Sequence, residues 1–371
     1  MPRYRRIVHV IGARPNYMKI APIYRAIEQH AAATAAGVEQ ILVHTGQHYS
    51  PEMSTQFFDE LNMPRPDINL EVGSGSHAVQ TARIMEAFEP VLTERQPDLV
   101  LVVGDVNSTI ACALDAKKLH VDVAHVEAGL RSFDMRMPEE VNRVMTDRIS
   151  DLLFTTEESG NRNLQAEGIA DDKVFFVGNC MIDSLVSHLP KARSRPTLEE
   201  QGVTEGNYVL VTLHRPSNVD DPDTLKQLMG TLAEAAQRKP ILIPLHPRTR
   251  GNLERFGWLD KFLAIPDLKV CEPLGYLDFL RCQTGAAAIL TDSGGIQEES
   301  TYLGVPCITM RENTERPATI SQGTNRLIGN DREQVLTALD EALSPRSAEH
   351  PVPPLWDGKA AERIAAVLLS A

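Results

Sequence analysis

The chain of 371 residues is longer than most single domains, and with 42% hydrophobic and 23% charged residues it has the composition of a soluble globular protein with room for two cores. Its formal net charge of −13 argues against nucleic acid or an anionic membrane as the main partner, although a local cluster of cations can still bind a phosphorylated ligand. The five cysteines have no CxxC spacing, so we expect reduced packing residues.

The N-terminal segment lacks the pattern of a secretory signal. The charged start PRYRR is followed by the short apolar run IVHVIG, and Arg14 and Lys19 come directly after it. No apolar run approaches the roughly 20 residues that span a bilayer. The sequence therefore predicts a cytoplasmic protein without a signal peptide.

Short apolar runs alternate with amphipathic helical patterns along the first half of the chain. RRIVHVIG precedes a helical pattern through Ile20 to Gln29, and VEQILVHTG precedes further helical segments. The next pairs are DLVLVVGD with STIACALDAKKL, VDVAHVEAG with PEEVNRVMTDRIS, and DLLFTTE with another helix, followed by VFFVGN. This order predicts a parallel sheet covered by helices on both faces.

The same rhythm restarts after a helix from about Met181 and the irregular segment KARSRPTLEEQGVTEGN. NYVLVTLH leads into DPDTLKQLMGTLAEAAQ, ILIPLHP into a helix, LKVCEP into LDFLRCQTG, and AAAILT into a glycine-rich turn. We therefore predict two Rossmann-like α/β domains facing a central cleft, with a hinge near Gly178 to Asp183. The first comprises residues 1–178 and, through a terminal helix that crosses back, 358–371; the second comprises 179–357.

Polar residues follow several of these predicted strands directly. Because ligands of parallel α/β sheets bind at the carboxyl ends of the strands, these residues mark the expected ligand edge of each sheet. They are Arg14, His44, Asp105, Glu127, His214, His246 and Asp292.

The segment 286–317 joins a buried strand, the turn DSGG (292–295) and a helix that Gly304 closes. Two glycines let the backbone approach a ligand, and the free N–H groups of a first helical turn favour an anion such as a diphosphate. A carboxylate one turn later, at Glu298 or Glu299, suits the hydroxyls of a ribose. The pattern indicates a nucleotide, although a strand with an Asp or Ser helix cap has the same signature.

Eight segments then identify a family. In chain order they are GARPNYMKIAP (12–22), TGQHYSPEM (45–53), GDVNST (104–109), HVEAGLRSFDMRMPEEVNR (125–143), GN (178–179), TLHRPSN (212–218), DSGGIQEE (292–299) and TERP (314–317). They resemble the non-hydrolysing UDP-N-acetylglucosamine 2-epimerases, in the family's order over nearly the whole chain. The resemblance implies a fold of the glycosyltransferase B type, a homodimer, and interconversion of UDP-GlcNAc and UDP-ManNAc.

The chemistry that the resemblance implies begins with elimination of UDP across C1 and C2. This step leaves 2-acetamidoglucal beside UDP, which then adds back with the proton on the other face. The route needs carboxylates that move a proton, cations that hold the diphosphate, and a closed site.

The resemblance makes Asp105, Glu127 and Glu139 the acid/base candidates. From the residues alone, Asp105 and Glu127 each follow an apolar strand, where an Asp also serves as a helix cap. Glu139 and Glu140 follow Pro138 at a helix start, where the helix dipole favours carboxylates in any case. The sequence leaves open which carboxylate acts on which face of C2.

The resemblance also assigns the groups that hold the substrate. The substrate is expected to be bound by Arg14, Lys19 and Arg143. His214 is expected to offset the charge of the leaving diphosphate as a protonated ring, and Arg215 is expected to assist beside it. The expected phosphate binders are Ser293, Gly294 and Gly295. Glu299 is expected to bind the ribose, and Arg316 is expected to make a further nucleotide contact. His246 and Arg248 are expected to lie farther from the substrate. A solvated helix start for Lys19 and a structural role for His214 are the competing interpretations. No residues have metal-ligand spacing and no G-x-G-x-x-G follows a strand, so we expect neither a metal nor a cofactor.

The chain departs from the family pattern near its predicted cleft. Many bacterial members are activated by substrate at a second site through an Arg and a Glu after the cleft His; here Arg215 is present but Ser217 replaces the carboxylate. The loop GSGSH after NLEV also lacks the basic residue of those members. We therefore expect weak or absent activation.

Four alternatives remain open from the sequence. The same mechanism on a modified sugar, such as UDP-2,3-diacetamido-glucuronic acid, would need a cation near C6, for which Arg131 or Arg136 is available. A hydrolysing epimerase, a glycosyltransferase of the same fold and a non-catalytic sugar-nucleotide module are the others.

Overall fold

The structure is a computed structural model that describes residues 2–34, 37–46, 65–345 and 350–370. It divides into two compact units: unit 1 comprises Met1–Val186 and Pro354–Ala371, and unit 2 comprises Ser187–Pro353. No helix within these described ranges is both long enough and apolar enough to cross a membrane.

The division between the units differs from the boundaries after residues 178 and 357 that the sequence predicts. It falls inside the helix Cys180–Arg193 because the first half of this helix is bonded to unit 1. Asp183 accepts hydrogen bonds of 3.1 and 2.7 Å from the first two N–H groups of the C-terminal helix. Trp356 likewise donates its indole N–H to a carbonyl of unit 1 over 2.9 Å.

Unit 1 is built on a parallel sheet of short apolar strands. Its strands are β1 (Arg6–Ile11), β2 (Glu39–His44), β3 (Ile68–Asn69), β4 (Leu99–Val103), β5 (Asp122–Ala128), β6 (Leu152–Thr155) and β7 (Val174–Phe176). They run in the order β3-β2-β1-β4-β5-β6-β7. Strand β4 reads LVLVV and is buried throughout, as a strand covered on both faces must be. The order reverses between β1 and β4, so this is the topological switch point where ligands bind.

Helices cover the sheet of unit 1. They are α1 (Arg14–Thr34), α2 (His77–Arg95), α3 (Asn107–Lys118), α4 (Pro138–Ile149), α5 (Glu158–Ala166), the first half of α6 (Cys180–Arg193) and, from the C-terminus, α16 (Ala360–Leu369), with a 3₁₀ turn at Asp171–Lys173. The C-terminal helix α16 packs along α1, as expected for a terminal helix that returns to the first domain.

Unit 2 repeats this plan with β8 (Val209–Thr212), β9 (Ile241–Pro244), β10 (Leu268–Cys271), β11 (Ala288–Thr291), β12 (Cys307–Thr309) and β13 (Asn325–Leu327). These strands run in the order β10-β9-β8-β11-β12-β13, with the switch point between β8 and β11. The helices are α7 (Thr197–Glu200), α8 (Pro216–Val219), α9 (Pro222–Ala236), α10 (Pro247–Arg255), α11 (Leu259–Leu263), α12 (Tyr276–Gly285), α13 (Gly294–Leu303), α14 (Ala318–Ser321) and α15 (Arg332–Leu343).

The predicted alternation of strands and helices is confirmed, with differences at short elements. The strands β3, β12 and β13 have two or three residues each, too few to give a periodic pattern, and the sequence did not reveal them. Helix α1 begins at Arg14 and ends at Thr34, well outside the predicted 20–29.

Candidate active site

The end of β5 has a strained backbone at the residue that carries the carboxylate. Glu127 has φ 69°, a left-handed conformation that costs a non-glycine residue roughly 1–2 kcal/mol. The register with β6 shifts between Val126 and Ala128, and Gly129 continues at φ 78°, where a Cβ would lie 2.5 Å from the carbonyl oxygen of Gly160. Strain of this kind concentrates at functional sites, because the surrounding structure has to maintain it.

Glu127 is buried together with Lys19. The two side chains are 3% and 7% exposed, and Lys19 Nζ donates to Glu127 Oε2. The second oxygen, Oε1, is buried without a hydrogen-bond partner among the described residues. A Cβ on Gly104, which has φ 69°, would lie 3.5 Å from Glu127 Oε2 and 3.6 Å from Lys19 Nζ. The pair therefore lies directly over the end of β4.

Asp105 is held by a buried arginine from α4. Arg143 donates through Nε and Nη2 to Asp105 Oδ2 over 3.0 and 2.6 Å, and through Nη1 to Glu140 over 2.6 Å. The Arg143 side chain is 4% exposed and that of Asp105 is 30% exposed, so the carboxylate is the accessible member. Asn142 donates to the Asp105 carbonyl over 2.8 Å. Glu139 is half-buried.

Glu140 has a structural role that the sequence did not separate from that of its neighbour. It is 1% exposed and accepts from the N–H groups of Ser132 and Phe133 over 2.9 and 2.8 Å. These bonds fix the loop before α4. Because both its oxygens are used in this way, Glu139 remains the acid/base candidate of the pair.

Asn16 is a site residue that the sequence reasoning missed inside the motif GARPNYMKIAP. It is 3% exposed, accepts from the N–H groups of Gly12 and Ala13, and donates to the Val103 carbonyl over 3.0 Å. It thereby joins the turn after β1 to the end of β4 and holds the first turns of α1, with Lys19, at the switch point. Its place in that motif, shortly after β1, was the only sequence signal.

His214 and Asp292 meet at the switch point of unit 2. Asp292, which is 0% exposed, lies 3.1 Å from His214 Nδ1, while His214 is 34% exposed. Asp292 also accepts from the N–H groups of His214 and Arg215 and from Asn218 Nδ2, over 2.9, 2.8 and 3.0 Å. Burial alone would raise the pKa of Asp292, but the bonds to His214 and these N–H groups outweigh it and lower the pKa. A buried carboxylate thus fixes the ring and leaves Nε2 for a ligand.

Further cations lie around this histidine. The His246 ring is 5.0 Å from the His214 ring; burial lowers the pKa of His246, and the positive charge of His214 lowers it further. Arg248 instead pairs with Asp220. Arg215 Nε is buried without a hydrogen-bond partner among the described residues.

Arg311 is a buried cation that the sequence reasoning did not select. It is 8% exposed and donates to Glu315 over 3.0 Å. Burial lowers the pKa of Arg311, and the charges of Arg215 and Arg316 add to this effect. The charge of Glu315, which pairs with both Arg311 and Arg316, opposes the shift, and the three guanidinium groups lie in one region of unit 2.

The turn 292–295 has the geometry that the sequence predicts. Ser293 occupies the cap position of α13 without a side-chain capping bond, and Gly304 ends the helix at φ 72°. A Cβ on Gly294 would lie 2.5 Å from Arg316 Nη1, so only glycine lets this guanidinium lie over the first turn. Gly295, the third expected phosphate binder, is half-buried in the same turn.

Arg316 is committed to buried carboxylates. Its Nε is 2.9 Å from Glu298 Oε1, and Nη1 pairs with Glu315. A cation at a helix N-terminus opposes the helix dipole, so these two carboxylates are needed to hold it there.

Glu299 and Glu298 have separate partners, as expected for neighbours on a helix. Glu299 accepts from Tyr276 Oη over 3.0 Å and from Gln283 Nε2 over 2.6 Å. Burial raises the pKa of Glu299 to about 7, although both hydrogen bonds oppose the rise. The carboxylate is thus oriented by neutral donors and retains lone pairs for further hydroxyl groups.

Two of the predicted features lie outside the described residues. Arg14 begins α1, but its side chain is not described, and the motif TGQHYSPEM is described only at Thr45 and Gly46.

Comparison with known proteins identifies the family. A family model described as UDP-N-acetylglucosamine 2-epimerase matches residues 30–369. The chain belongs to the UDP-N-acetylglucosamine 2-epimerase family. It is 43% identical over 364 residues to the UDP-N-acetylglucosamine 2-epimerase of Methanocaldococcus jannaschii, covering 97% of each chain. It is 40% identical over 341 residues to the UDP-2,3-diacetamido-2,3-dideoxy-D-glucuronate 2-epimerase of Pseudomonas aeruginosa, covering 91% of this chain and 92% of that relative.

The epimerase family also accounts for the fold. The crystal structure of the Methanocaldococcus jannaschii enzyme in complex with UDP-GlcNAc and UDP superposes with a TM-score of 0.89 at 42% identity, covering 98% of this chain and 99% of that one. The resemblance stated from the motifs is therefore confirmed. So is the predicted fold class, an α/β protein with two parallel-sheet units of the glycosyltransferase B type.

Proposed function

We propose that this chain is a non-hydrolysing UDP-N-acetylglucosamine 2-epimerase, an isomerase that interconverts UDP-GlcNAc and UDP-ManNAc. Relatives of this name cover nearly the whole chain. The observation that carries the proposal is Glu127, whose carboxylate is buried against Lys19 on a strained backbone with one oxygen unbonded among the described residues. A buried carboxylate on a strained backbone lowers the stability of the fold, and it is expected where a proton is transferred.

The proposed reaction runs through elimination. A carboxylate of the set Asp105, Glu127 and Glu139 takes the proton from C2, the electron pair forms the C1–C2 double bond, and the bond from C1 to the UDP oxygen breaks. UDP then adds to C1 while a second carboxylate returns a proton to the opposite face of C2. Lys19 and Arg143 hold their partner carboxylates in place through hydrogen bonds.

Unit 2 supplies the groups that hold UDP. The first-turn N–H groups of α13, with Ser293, Gly294 and Gly295, are proposed to bind the diphosphate. His214, Arg215 and Arg316 offset its charge, which grows as the C1–O bond breaks. Glu299 is proposed to accept from the ribose hydroxyls. Arg14 and His246 complete the proposed substrate contacts.

The modified sugar UDP-2,3-diacetamido-glucuronic acid is the second candidate substrate, because the Pseudomonas aeruginosa relative named for it is 40% identical. That substrate carries a carboxylate at C6 and calls for a cation there. Arg131 does not meet this need, because its side chain is 1% exposed and pairs with Asp147 and Glu167. Arg136 pairs with Asp134 over 2.8 Å. The arrangement favours the uncharged C6 of UDP-GlcNAc.

We further propose that the enzyme works as a homodimer in the cytoplasm. Val141 and Met145 lie one turn apart on α4 with 40% and 51% exposure, and Phe133 and Met135 in the preceding loop are 77% and 61% exposed. Exposed apolar side chains clustered on one element suit an interface. Light scattering after gel filtration tests the dimer, and Met145→Glu is expected to convert it to a monomer.

The family departure near the second site gives one more proposal. With Ser217 after Arg215, activation by UDP-GlcNAc is proposed to be weak. Pure UDP-ManNAc is then epimerised without a lag, and a requirement for added UDP-GlcNAc would contradict the proposal.

The deciding experiment is incubation with UDP-GlcNAc in heavy water, followed by proton NMR. UDP-ManNAc is expected to appear while deuterium replaces the C2 proton in both sugars without any acceptor. UDP with free ManNAc in stoichiometric yield would instead indicate a hydrolysing enzyme, and no exchange without an acceptor would indicate a glycosyltransferase. A parallel assay with the diacetamido-glucuronate nucleotide ranks the two substrates.

A further inference from the structure

A buried histidine lies between the two strand ends that carry the acid/base candidates. His125 on β5 is 1% exposed. Its Nε2 lies 2.8 Å from the carbonyl oxygen of Gly104, and its Nδ1 lies 2.6 Å from Asp147 Oδ1. A carbonyl oxygen only accepts, and so does an ionised carboxylate. Both ring nitrogens therefore face acceptors, and the ring that satisfies both is the doubly protonated one.

The partner carboxylate is itself enclosed by donors. Asp147 on α4 is 0% exposed, and its Oδ2 lies 2.7 Å from Arg131 Nη1 and 3.0 Å from the N–H of Gly129. Burial alone would raise the pKa of Asp147, but the charges of His125 and Arg131 and the bond from Gly129 outweigh it and lower the pKa. We call His125, Asp147 and Arg131 the buried triad.

The buried triad is anchored on its outer side. Arg131 donates through Nε and Nη2 to Glu167 over 2.8 Å each, and through Nη1 to the Leu130 carbonyl over 2.8 Å. The guanidinium is therefore fixed at both edges, which in turn fixes the Asp147 carboxylate. A fully satisfied buried network of this kind is rigid.

The groups that the buried triad holds are neighbours of the proposed acid/base residues. Gly104 immediately precedes Asp105, and Gly129 is two residues after Glu127. Asp147 belongs to α4, the helix that also carries Glu139 and the Asp105 partner Arg143. One set of buried charges thus connects the end of β4, the end of β5 and α4. No direct contact with substrate is needed for it to affect the chemistry.

We propose that the buried triad positions the carboxylates of Asp105 and Glu127 for proton transfer at C2, with His125 as its central positioning residue. This inference rests on the proposed epimerase function. A misplacement of about 1 Å in a reacting group costs on the order of 100-fold in rate. Loosening the triad should therefore lower the rate at which the glycal is reprotonated and UDP is added back, more than it lowers the affinity for UDP.

The test uses His125→Asn and Asp147→Asn, with His9→Asn as the matched control. His9 is also a fully buried histidine on a strand of unit 1, but it bonds to Gln40 over 2.8 Å and to neither strand end of the site. Turnover with UDP-GlcNAc is measured by proton NMR and normalised to the concentration of UDP-binding sites from calorimetry, so that unfolded protein does not enter kcat. The same spectra give the partition ratio, the amount of 2-acetamidoglucal released per epimerisation.

We expect kcat of both triad variants to fall on the order of 100-fold, with KM changed by less than about threefold, as for a loss of transition-state positioning alone. The partition ratio is expected to rise at the same time. His9→Asn should lower the melting temperature while leaving normalised kcat and the partition ratio as in wild type. Asp147→Glu, which restores the charge, should recover part of kcat.

Wild-type kcat and partition ratio in folded His125→Asn would overturn the inference, as would an equal loss in His9→Asn. If His125→Asn binds no UDP at all, Asp147→Asn and Asp147→Glu decide in its place. Failure of the wild type to exchange the C2 proton would refute the proposed function itself, an outcome distinct from any result with the variants.

Discussion

At the switch point of each unit a buried charged side chain holds a more exposed partner, but the buried side chain is a cation in unit 1 and a carboxylate in unit 2. In unit 1 the accessible member of a pair is a carboxylate held by a cation: Asp105 is 30% exposed over Arg143, which is 4% exposed. In unit 2 the accessible member is a basic ring held by a carboxylate: His214 is 34% exposed over Asp292, which is 0% exposed. A buried charge has to be paired, and the buried partner determines the charge of the exposed one. The difference fits the proposed proton transfer in unit 1 and the proposed anion binding in unit 2.

The pair Lys19 and Glu127 differs from the pair Asp105 and Arg143, because both of its members are buried. Breaking such a pair leaves an uncompensated charge in the interior. The strain at Glu127 adds to this cost. In unit 2, Asp292 instead accepts hydrogen bonds from the N–H groups of His214 and Arg215 and from Asn218 Nδ2.

The largest effect is expected from removing the exposed carboxylate of unit 1. Asp105→Asn should lower kcat on the order of 10³-fold, as for loss of a general acid or base, while the affinity for UDP measured by calorimetry stays near wild type. Asp134→Asn, which alters another ion-paired carboxylate of the same unit, is the control and should retain turnover. Unchanged turnover in Asp105→Asn would refute the assignment of proton transfer to this edge.

The next effect comes from the buried carboxylate of unit 2. Asp292→Asn leaves His214 without its negative partner, so kcat/KM should fall on the order of 100-fold and UDP should bind more weakly. Asp221→Asn, which alters the cap of α9 in the same unit, should change stability alone, by about 1 kcal/mol or less. If Asp292→Asn affected kcat but not UDP affinity, the contrast between the two edges would be wrong.

Glu299 extends the comparison of the two units to a buried carboxylate that accepts hydrogen bonds from neutral donors and not from a cation. Its pKa is about 7 in the folded state and near 4.5 when unfolded, so the folded protein retains the proton between these values and its stability falls as the pH rises through this window. Above pH 7 this group lowers the free energy of unfolding by about 3 kcal/mol relative to its value below pH 4.5. Glu299→Gln should therefore be more stable than wild type at pH 8, and the difference should vanish near pH 4.5.

Chemical denaturation at several pH values measures this difference in the free energy of unfolding. Glu199→Gln, at an exposed position of the same unit, is the control and should show no such slope. A pH-independent difference for Glu299→Gln would mean that the carboxylate is not held in this way. The variant is also expected to bind UDP less tightly if Glu299 accepts from the ribose.

The smallest effect concerns the backbone under the site in unit 1. Gly104→Ala places a Cβ at φ 69° beside Glu127 and Lys19 and should destabilise the protein by about 1–2 kcal/mol and lower kcat. Gly251→Ala, in helix α10 with no atom within 4 Å of the added Cβ, should instead stabilise by about 0.5–1 kcal/mol. Equal effects of the two changes would show that the site places no special demand on Gly104.

Motifs and strand ends predicted much of this arrangement before any contact was visible. Asp105, Glu127, His214 and the turn 292–295 were selected because each follows an apolar stretch, and all of them lie at a switch point or, for Glu127, at the end of the next strand. From the residues alone Glu139 and Glu140 were indistinguishable, since both suit a helix start, and Glu139 was selected by the family resemblance. The bonds of Glu140 to the loop before α4 give it a separate structural role. Asn16 and Asp147 were missed because their roles come from residues distant in the chain, Val103 and His125.

The sequence by itself determined the α/β alternation, the family and the residue types at each strand end, because periodicity, turn chemistry and contiguous motifs are local properties of the chain. Tertiary structure alone decided which carboxylate is paired with which cation, which member of each pair remains exposed, and that His125 reaches both Gly104 and Asp147. These features depend on the burial and distance of groups that are brought together by strand order, and no local pattern encodes them.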